Sequence, residues 1–162
     1  MSKHHHYKLS VKWTGNKGQG TKDYESYDRS HEIDIEGKKK LLCSSDSAFR
    51  GDKKKHNPED MLLASLSACH MLWYLHLCAD EKIVVVEYTD HAEGKMIQTS
   101  NGAGYFTEVV LNPTVVVAES WMIRKAIDLH KKVNQFCFIA NSVKFEVYHR
   151  PQVTALENRP KP

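Results

Sequence analysis

A long apolar segment, residues 61–79, limits most strongly what this chain can fold into. It has no polar stripe along one side, and a helix of that kind is either buried in protein or lies in a membrane. Its length of about nineteen residues approaches that of a membrane span. Ser65, Ser67, His70 and His76 interrupt the segment, however, and there is only one of its kind. We therefore predict a buried central helix and no membrane partner.

Asn57 and Pro58 mark the point where this helix begins. Asparagine is a preferred N-cap residue, and proline suits the first helical position, which needs no N–H donor. Glu59 and Asp60 follow, and negative charge suits the positive end of the helix dipole. Glu59 lies ten residues before Cys69, which is about 15 Å along a regular helix axis. These two side chains therefore cannot meet within one chain.

Alternating apolar and polar residues, and short apolar or β-branched runs, predict strands on either side of this helix. They occur over 7–13, around Ile33 and Ile35, and over 41–43, 83–88, 92–96, 105–117 and 143–148. A second helix is expected over 119–138, with an apolar face at spacings of three and four, formed by Met122, Ala126, Leu129, Val133 and Phe136. This order of elements predicts an α+β fold with helices on largely antiparallel sheet.

The length of 162 residues and an ordinary balance of apolar and charged side chains fit one globular domain. We expect residues 1–6 to be a flexible N-terminus or a tag remnant, residues 7–150 to form the domain, and residues 151–162 to be a loose tail. The net charge of +3 is too small to indicate a nucleic-acid partner. No apolar run of a secretory signal is present at the N-terminus, so a reducing cytoplasm is the expected location.

Four cysteines, at positions 43, 69, 78 and 137, are too few for a disulfide scaffold and form no CxxC pair. Taken singly, each fits a small buried core residue. Cys69 and Cys137 lie on two helices that are expected to pack together, however, and such thiols can close a disulfide after one is oxidised by peroxide. Cys78 lies about 180° from Cys69 around the helix, so it cannot share that site.

His70 follows Cys69 directly, but neighbours on a helix point about 100° apart, so His70 is a poor base for that thiol. A hydrogen-bonded core histidine fits this position better. His76 lies six residues further on, whereas two ligands of one metal on a helix need a spacing of about four. A metal-binding module built from the ten histidines is therefore a disfavoured alternative.

The motif NPEDML at 57–62, followed by SAC at 67–69, resembles the NPE…AAC signature of the OsmC/Ohr family, the osmotically inducible and organic-hydroperoxide-resistance proteins. The stretches WTGN…GQGT and GYFTEVVL, and a cysteine at the end of the second helix, are also similar to that family. The resemblance covers roughly residues 7–148. It implies an OsmC-like α+β fold, in which antiparallel sheets wrap around two long central helices of an intertwined homodimer.

The resemblance further implies a cysteine-based peroxidase for organic hydroperoxides, with hydrogen peroxide as a further candidate substrate. Cys69 would be the peroxidatic thiol, which becomes a sulfenic acid, and Cys137 the resolving thiol, which closes the disulfide. A dithiol of the lipoyl type would be the reductant, and the scheme needs no metal or cofactor. Glu59 would hold an arginine against Cys69, and because the two cannot meet on one helix, we expect a site shared between two subunits.

Three residues are candidates for that cation. Arg50, in the stretch AFRGD, resembles the arginine of the OsmC-type proteins. Lys17 stands in the first hairpin turn, where the Ohr-type arginine lies, and Arg29 is the third candidate.

Two features leave alternatives open. The family often has C-P-x-S at its resolving cysteine, whereas this chain has CFIA from Cys137 onward. The alternative function is therefore an OsmC-fold stress or binding protein with little or no peroxidase activity. Leu72, Trp73 and Tyr74 either fill the core or line an apolar pocket, which would favour organic hydroperoxides over hydrogen peroxide.

Overall fold

The computed structural model describes residues 3–158, which divide into two compact units, one up to Leu62 and one from Leu63 onward. The elements are β1 (Ser10–Trp13), β2 (His31–Asp34), β3 (Leu41–Cys43), α1 (Pro58–Asp80), β4 (Val85–Asp90), β5 (Glu93–Gln98), β6 (Gly104–Leu111), β7 (Pro113–Val117), α2 (Ile123–Phe136), β8 (Glu146–His149) and β9 (Gln152–Ala155). The α+β class is confirmed. The single domain expected over 7–150 stays a prediction, and residues 1, 2 and 159–162 of the expected termini lie outside the described residues.

The first unit is a three-stranded antiparallel sheet in the order β1-β2-β3, in which the strands expected around Ile33 and over 41–43 pair with each other. The glycine-rich segment after β1 folds back against the backbone of Asp28. A Cβ at Gly15 would lie 1.9 Å from the Asp28 carbonyl oxygen, so only glycine fits there. The loop between β3 and α1 contains a short 3₁₀ helix, Ser47–Phe49.

The start of α1 has the cap that the sequence predicts. The Asn57 Oδ1 atom accepts from the Asp60 N–H at 2.7 Å, and the Asp60 carboxylate accepts in return from the Asn57 N–H at 3.3 Å. Two backbone donors that the helix itself leaves free are thereby satisfied. The helix begins at Pro58, as expected.

The second unit is built from three long ribbons, each of which bends and passes from one sheet to another. The ribbons are β4 with β5, β6 with β7, and β8 with β9, and the two sheets have the orders β4-β7-β9 and β5-β6-β8. The β4–β7 and β5–β6 pairs are antiparallel, whereas β6–β8 and β7–β9 are parallel. The parallel pairs arise because α2 returns the chain to the end of the sheet where β6 began.

Two strand predictions are corrected here. The single strand expected over 105–117 is wrong, because the chain leaves one sheet at Asn112 and enters the other at Pro113. The loose tail expected from 151 is also wrong over its first part, since Gln152–Ala155 pairs with β7 and Ala155 is fully buried. Pro151 permits the bend between β8 and β9 because it needs no ladder hydrogen bond.

Asp90 fixes the bend between the two sheets. Its Oδ1 atom accepts from the Asn112 N–H at 2.7 Å, and its Oδ2 atom accepts from the hydroxyl of Ser67 on α1. The Asn112 side chain donates in turn to the His91 carbonyl at 2.8 Å. One carboxylate thus links two ribbons and the central helix.

The face of α2 that packs into the core differs by one position from the predicted face. Ala126, Leu129, His130 and Val133 are buried, and Cys137 continues this face beyond the helix end. Phe136, which was expected inside, is 40% exposed. It lies about 100° around the helix from Cys137, so both cannot point into the core.

One face of α1 is buried within the chain. Its buried residues follow each other at intervals of four and are Leu66, His70, Tyr74 and Cys78. Tyr74 and Cys78 pack with the valines of β7 and the inner face of α2. The opposite face is not covered, and Leu72 on it is 62% exposed, so a single chain buries the predicted central helix on one side only. By length and composition alone α1 could cross a membrane, as many core helices of soluble proteins could.

We predict that Asp90→Ala lowers the free energy of unfolding by about 2 kcal/mol, because it leaves the Asn112 N–H and the Ser67 hydroxyl without their acceptor. Asp90→Asn keeps an acceptor and should lose less than half of that. Urea denaturation of the two variants measures the difference, and equal losses would contradict a hydrogen-bonding role.

Candidate functional site

The structure brings Cys69 and Cys137 together. Cys69 lies in the middle of α1 and is half-buried, whereas Cys137 caps α2 and is 1% exposed. Both thiols are free, and Cys137 is hydrogen-bonded to Cys69. Burial, followed by this hydrogen bond, raises the pKa of Cys137 to about 11. The two sulfurs therefore differ in character, since Cys69 is the accessible one and Cys137 is a buried, protonated thiol.

Cys137 is positioned by the way in which α2 ends. Its N–H donates to the Val133 carbonyl at 2.9 Å, as the last bond of the helix. The chain then turns around the sulfur, and the Ala140 N–H donates to Cys137 Sγ at 3.4 Å. The Asn141 amide caps the helix end by donating to the Cys137 carbonyl at 3.0 Å. The CFIA stretch, although it departs from the family pattern, thus supplies a backbone donor to the sulfur.

An aromatic cluster lies beside the cysteine pair. Trp73, one turn after Cys69 on α1, stacks on Phe136 at a centroid distance of 5.3 Å and meets the edge of Phe138 at 5.8 Å. Phe138 is 68% exposed, so this side of the pair is apolar and open to solvent. Of the residues predicted to fill the core or line a pocket, Tyr74 is in the core, and Trp73 and Leu72 are not fully enclosed.

Glu59 is half-buried in the first turn of α1. Its Oε2 atom is inaccessible to solvent and has no hydrogen-bond partner among residues 3–158. A buried carboxylate oxygen without a partner is costly. Stabilisation of the helix dipole alone does not account for this arrangement, because an exposed carboxylate would do the same without that cost.

The cation candidates differ in how firmly they are held within the first unit. Arg50 forms one exposed ion pair, with Glu25 at 3.2 Å, and its backbone is left-handed with a φ of 64°. Lys17 is paired with Asp28 at 2.9 Å. An exposed pair of this kind contributes little stability, so Arg50 can exchange its partner at small cost.

Arg29 is held much more tightly. Its guanidinium lies 3.9 Å from the ring centre of Tyr24 and 4.3 Å from that of Tyr27. It also donates to the carbonyl oxygens of the same two residues, at 2.7 and 2.6 Å. These contacts make Arg29 a structural part of its loop.

Behind the cysteines lies a stack of buried rings that the sequence analysis anticipated only in part. His70 Nε2 and His130 Nδ1 are 2.9 Å apart, which confirms His70 as a hydrogen-bonded core histidine. His149 stacks on His70 at 4.3 Å, and Tyr74 stacks on His130 at 3.8 Å. The sequence analysis did not identify His130 and His149. The position of His130 four residues after Ala126, on the apolar face of α2, was the available signal.

Burial keeps these imidazoles neutral. It lowers the pKa of His70 to about 2 and that of His130 to about 3, and the neighbouring histidines add to both effects. The pKa of His149 is lowered as well, although the nearby Asp90 carboxylate opposes this change. His149 and Tyr74 lie face to face with His70 and His130, whereas the two bonded histidines meet edge to edge through their ring nitrogens, so the rings do not converge on one point. Across residues 3–158, no group of three or more His, Cys, Asp or Glu side chains is placed to hold a metal ion.

The remaining cysteines are structural. Cys78 is 1% exposed and burial raises its pKa to about 11, which confirms it as a core residue. Cys43 is buried with its sulfur 4.0 Å from that of Met61. His76 is exposed and pairs with Asp80 at 3.6 Å.

Comparison with known proteins agrees with the family resemblance. The sequence model of the OsmC-like protein family matches residues 51–150, and the chain therefore belongs to this family. An OsmC-like protein of unknown function from Vibrio cholerae is 30% identical, with a TM-score of 0.83 over 92% of this chain and 100% of that one. No curated protein gives a significant match.

More distant structures share the fold. An organic hydroperoxide resistance protein from Elizabethkingia anophelis is 22% identical, with a TM-score of 0.66 over 93% of this chain and 98% of that one. The organic hydroperoxide resistance protein OhrB of Bacillus subtilis is 15% identical, with a TM-score of 0.62 over the same shares of the two chains. The OsmC-like fold expected from the sequence is thereby confirmed.

We predict that stability decreases as the pH falls below about 6.5, the ordinary pKa of histidine. An unfolded chain takes up protons there, whereas the folded chain leaves His70 and His130 neutral down to about pH 3. The free energy of unfolding should be constant between pH 7 and 8 and then fall by up to about 1.4 kcal/mol per pH unit for each buried histidine.

Urea denaturation between pH 8 and pH 5.5 measures this slope. His130→Gln should reduce this slope by about the contribution of one buried histidine. His76→Gln, at an exposed position, should leave the slope unchanged. A free energy of unfolding that stays constant down to pH 5.5 would contradict the prediction.

Proposed function

We propose that this protein is a thiol peroxidase that reduces organic hydroperoxides through Cys69 and Cys137. The contact between an accessible thiol on α1 and a buried thiol at the end of α2 carries this proposal. Membership of the OsmC-like family supports it, as do the names of the structural relatives from Elizabethkingia and Bacillus, which are organic hydroperoxide resistance proteins.

The proposed cycle begins when the Cys69 thiolate attacks one peroxide oxygen. The O–O bond breaks, an alcohol leaves with a proton, and Cys69 becomes a sulfenic acid. Cys137 then attacks the Cys69 sulfur, so that an S–S bond forms and water leaves. A dithiol, of the lipoyl type in the family scheme, reduces the disulfide by exchange and becomes a disulfide itself. A reducing cytoplasm is the proposed location, because it keeps such a dithiol available.

The surroundings of Cys69 favour an apolar substrate. Trp73, Phe136 and Phe138 present aromatic surface beside the thiol pair. An alkyl or aryl group gains from contact with such a surface, whereas hydrogen peroxide has no apolar part to bury. We therefore propose organic hydroperoxides as the preferred substrates and hydrogen peroxide as a poorer one.

We further propose that the working unit is a homodimer with shared sites. The outer face of α1 exposes Ala64, Ala68 and Leu72 at intervals of four, and a second copy of the chain would cover this apolar strip.

We propose that a cation binds the Glu59 carboxylate, because its buried Oε2 atom has no hydrogen-bond partner among the described residues. Arg50 is the proposed cation, since its ion pair with Glu25 is exposed and easily exchanged. Beside Cys69 a guanidinium would stabilise the thiolate and donate to the peroxide.

The direct test of the cycle uses the reduced protein with one equivalent of cumene hydroperoxide, followed by alkylation and mass spectrometry. We expect a Cys69–Cys137 disulfide within seconds. Cys137→Ser should instead accumulate a Cys69 sulfenic acid that dimedone traps, and Cys69→Ser should not react. Cys78→Ser serves as the matched control and should behave like the wild type.

Thiols that stay reduced for minutes would contradict the proposed cycle. They would favour the alternative, an OsmC-fold stress or binding protein without peroxidase activity, for which the buried, high-pKa Cys137 thiol is the supporting observation.

The shared site is tested by mixing inactive subunits. Glu59→Gln and Cys69→Ser homodimers should each lose at least about tenfold in turnover of cumene hydroperoxide. Their mixed dimer, purified through two different tags, contains one intact site if Glu59 and Cys69 come from different chains. We therefore expect about half of the wild-type turnover from it. A mixed dimer as inactive as its parents would contradict the shared site.

A further inference from the structure

The helices that carry the two cysteines are linked a second time by histidines. His70 directly follows Cys69 on α1, and its Nε2 atom lies 2.9 Å from His130 Nδ1 on α2. His130 precedes Cys137 by seven residues, which is close to two helical turns and places both on the same face of α2. On α2 the two residues therefore share one face, whereas on α1 Cys69 and His70 are neighbours about 100° apart, so the two links join α1 and α2 at adjacent positions.

Side chains fill the space between α1 and α2, where Tyr74 of α1 packs in one cluster with Leu129 and Val133 of α2. The histidine link is enclosed on every side. His70 and His130 are each 1% exposed, and the rings of His149 and Tyr74 cover the two ends of the stack. Such a close-packed stack leaves little freedom for the helices to shift.

We propose that the His70–His130 hydrogen bond, supported by His149, is a positioning device that holds Cys69 and Cys137 at disulfide-closing distance. Neither histidine of the bond acts on the sulfurs directly. The bond acts through helix placement, because a disulfide forms only when the two Cα atoms lie within about 4.4–6.8 Å. The role of this device in turnover rests on the proposed peroxidase function, whereas its effect on the thiol pair does not.

A thiol pair held in place closes its disulfide more readily than a mobile pair, because the second thiol has a high effective concentration. Equilibration with glutathione measures that concentration without any peroxide. In this reaction two protein thiols are oxidised to one disulfide, and one oxidised glutathione is reduced to two glutathione thiols. The concentrations of the two glutathione forms at half oxidation then give the effective concentration of one protein thiol at the other.

The test compares three substitutions of the ring stack. His130→Leu removes the hydrogen bond with a similar side-chain volume, and His130→Asn keeps a hydrogen-bonding atom near the position of Nδ1. Tyr74→Phe is the matched control, because it keeps the stacked ring and does not touch the bond. Alkylation and mass spectrometry quantify the Cys69–Cys137 disulfide, and circular dichroism verifies that each variant is folded.

At a fixed concentration of reduced glutathione, we expect the His130→Leu variant to need about tenfold more oxidised glutathione for half oxidation of the thiol pair. This change is in line with the loss of one buried hydrogen bond. His130→Asn should recover most of this loss, and Tyr74→Phe should match the wild type. In the peroxide reaction, His130→Leu should form the Cys69 sulfenic acid at an unchanged rate but close the disulfide more slowly, so that dimedone traps more of it.

The outcomes separate this inference from the proposed function. An unchanged glutathione equilibrium in folded His130→Leu would overturn the inference, as would equal losses in the Leu and Asn variants, because those indicate a packing effect only. A shifted equilibrium with recovery by Asn supports it even if the wild type proves inert to peroxide, which would refute the peroxidase function alone.

Discussion

The crossing of α1 and α2 is the contact on which the rest of the second unit depends. His70 meets His130 there, Cys69 lies beside Cys137, and Tyr74 stacks on His130. Around this crossing, three bent ribbons form two sheets, and the carboxylate of Asp90 ties their bend to α1. The geometry of the thiol pair is thus set by the core and does not depend on a mobile loop.

Placing three imidazoles in or beside the core is unfavourable for stability, but it also specifies how the helices pack. Burial disfavours the charged ring and keeps His70 and His130 neutral. Their hydrogen bond and stacking contacts repay part of this cost and specify one arrangement of the helices, whereas an all-apolar core tolerates several. A histidine core is therefore a reasonable means of fixing two thiols that must meet in one geometry.

The single chain also leaves two features without contacts. The outer strip of α1 is apolar and uncovered, and Glu59 carries a buried oxygen without a hydrogen bond. Large apolar surfaces and unpaired buried carboxylates are both unfavourable in an isolated protein. The same helix carries Cys69 and the apolar strip, so the proposed assembly and the proposed chemistry depend on one element.

The sequence is enough to predict the helices, most strands, the capped start of α1 at Asn57 and Pro58, and the two cysteines of interest, because these follow from local patterns and short motifs. It did not determine the break at Asn112, the strand after Pro151 or the outward position of Phe136, since these depend on which sheet or helix lies alongside. Nor did it reveal the ring stack. His70, His130 and His149 are distant along the chain and meet only because α1, α2 and β8 converge, and that convergence is a property of the tertiary structure alone.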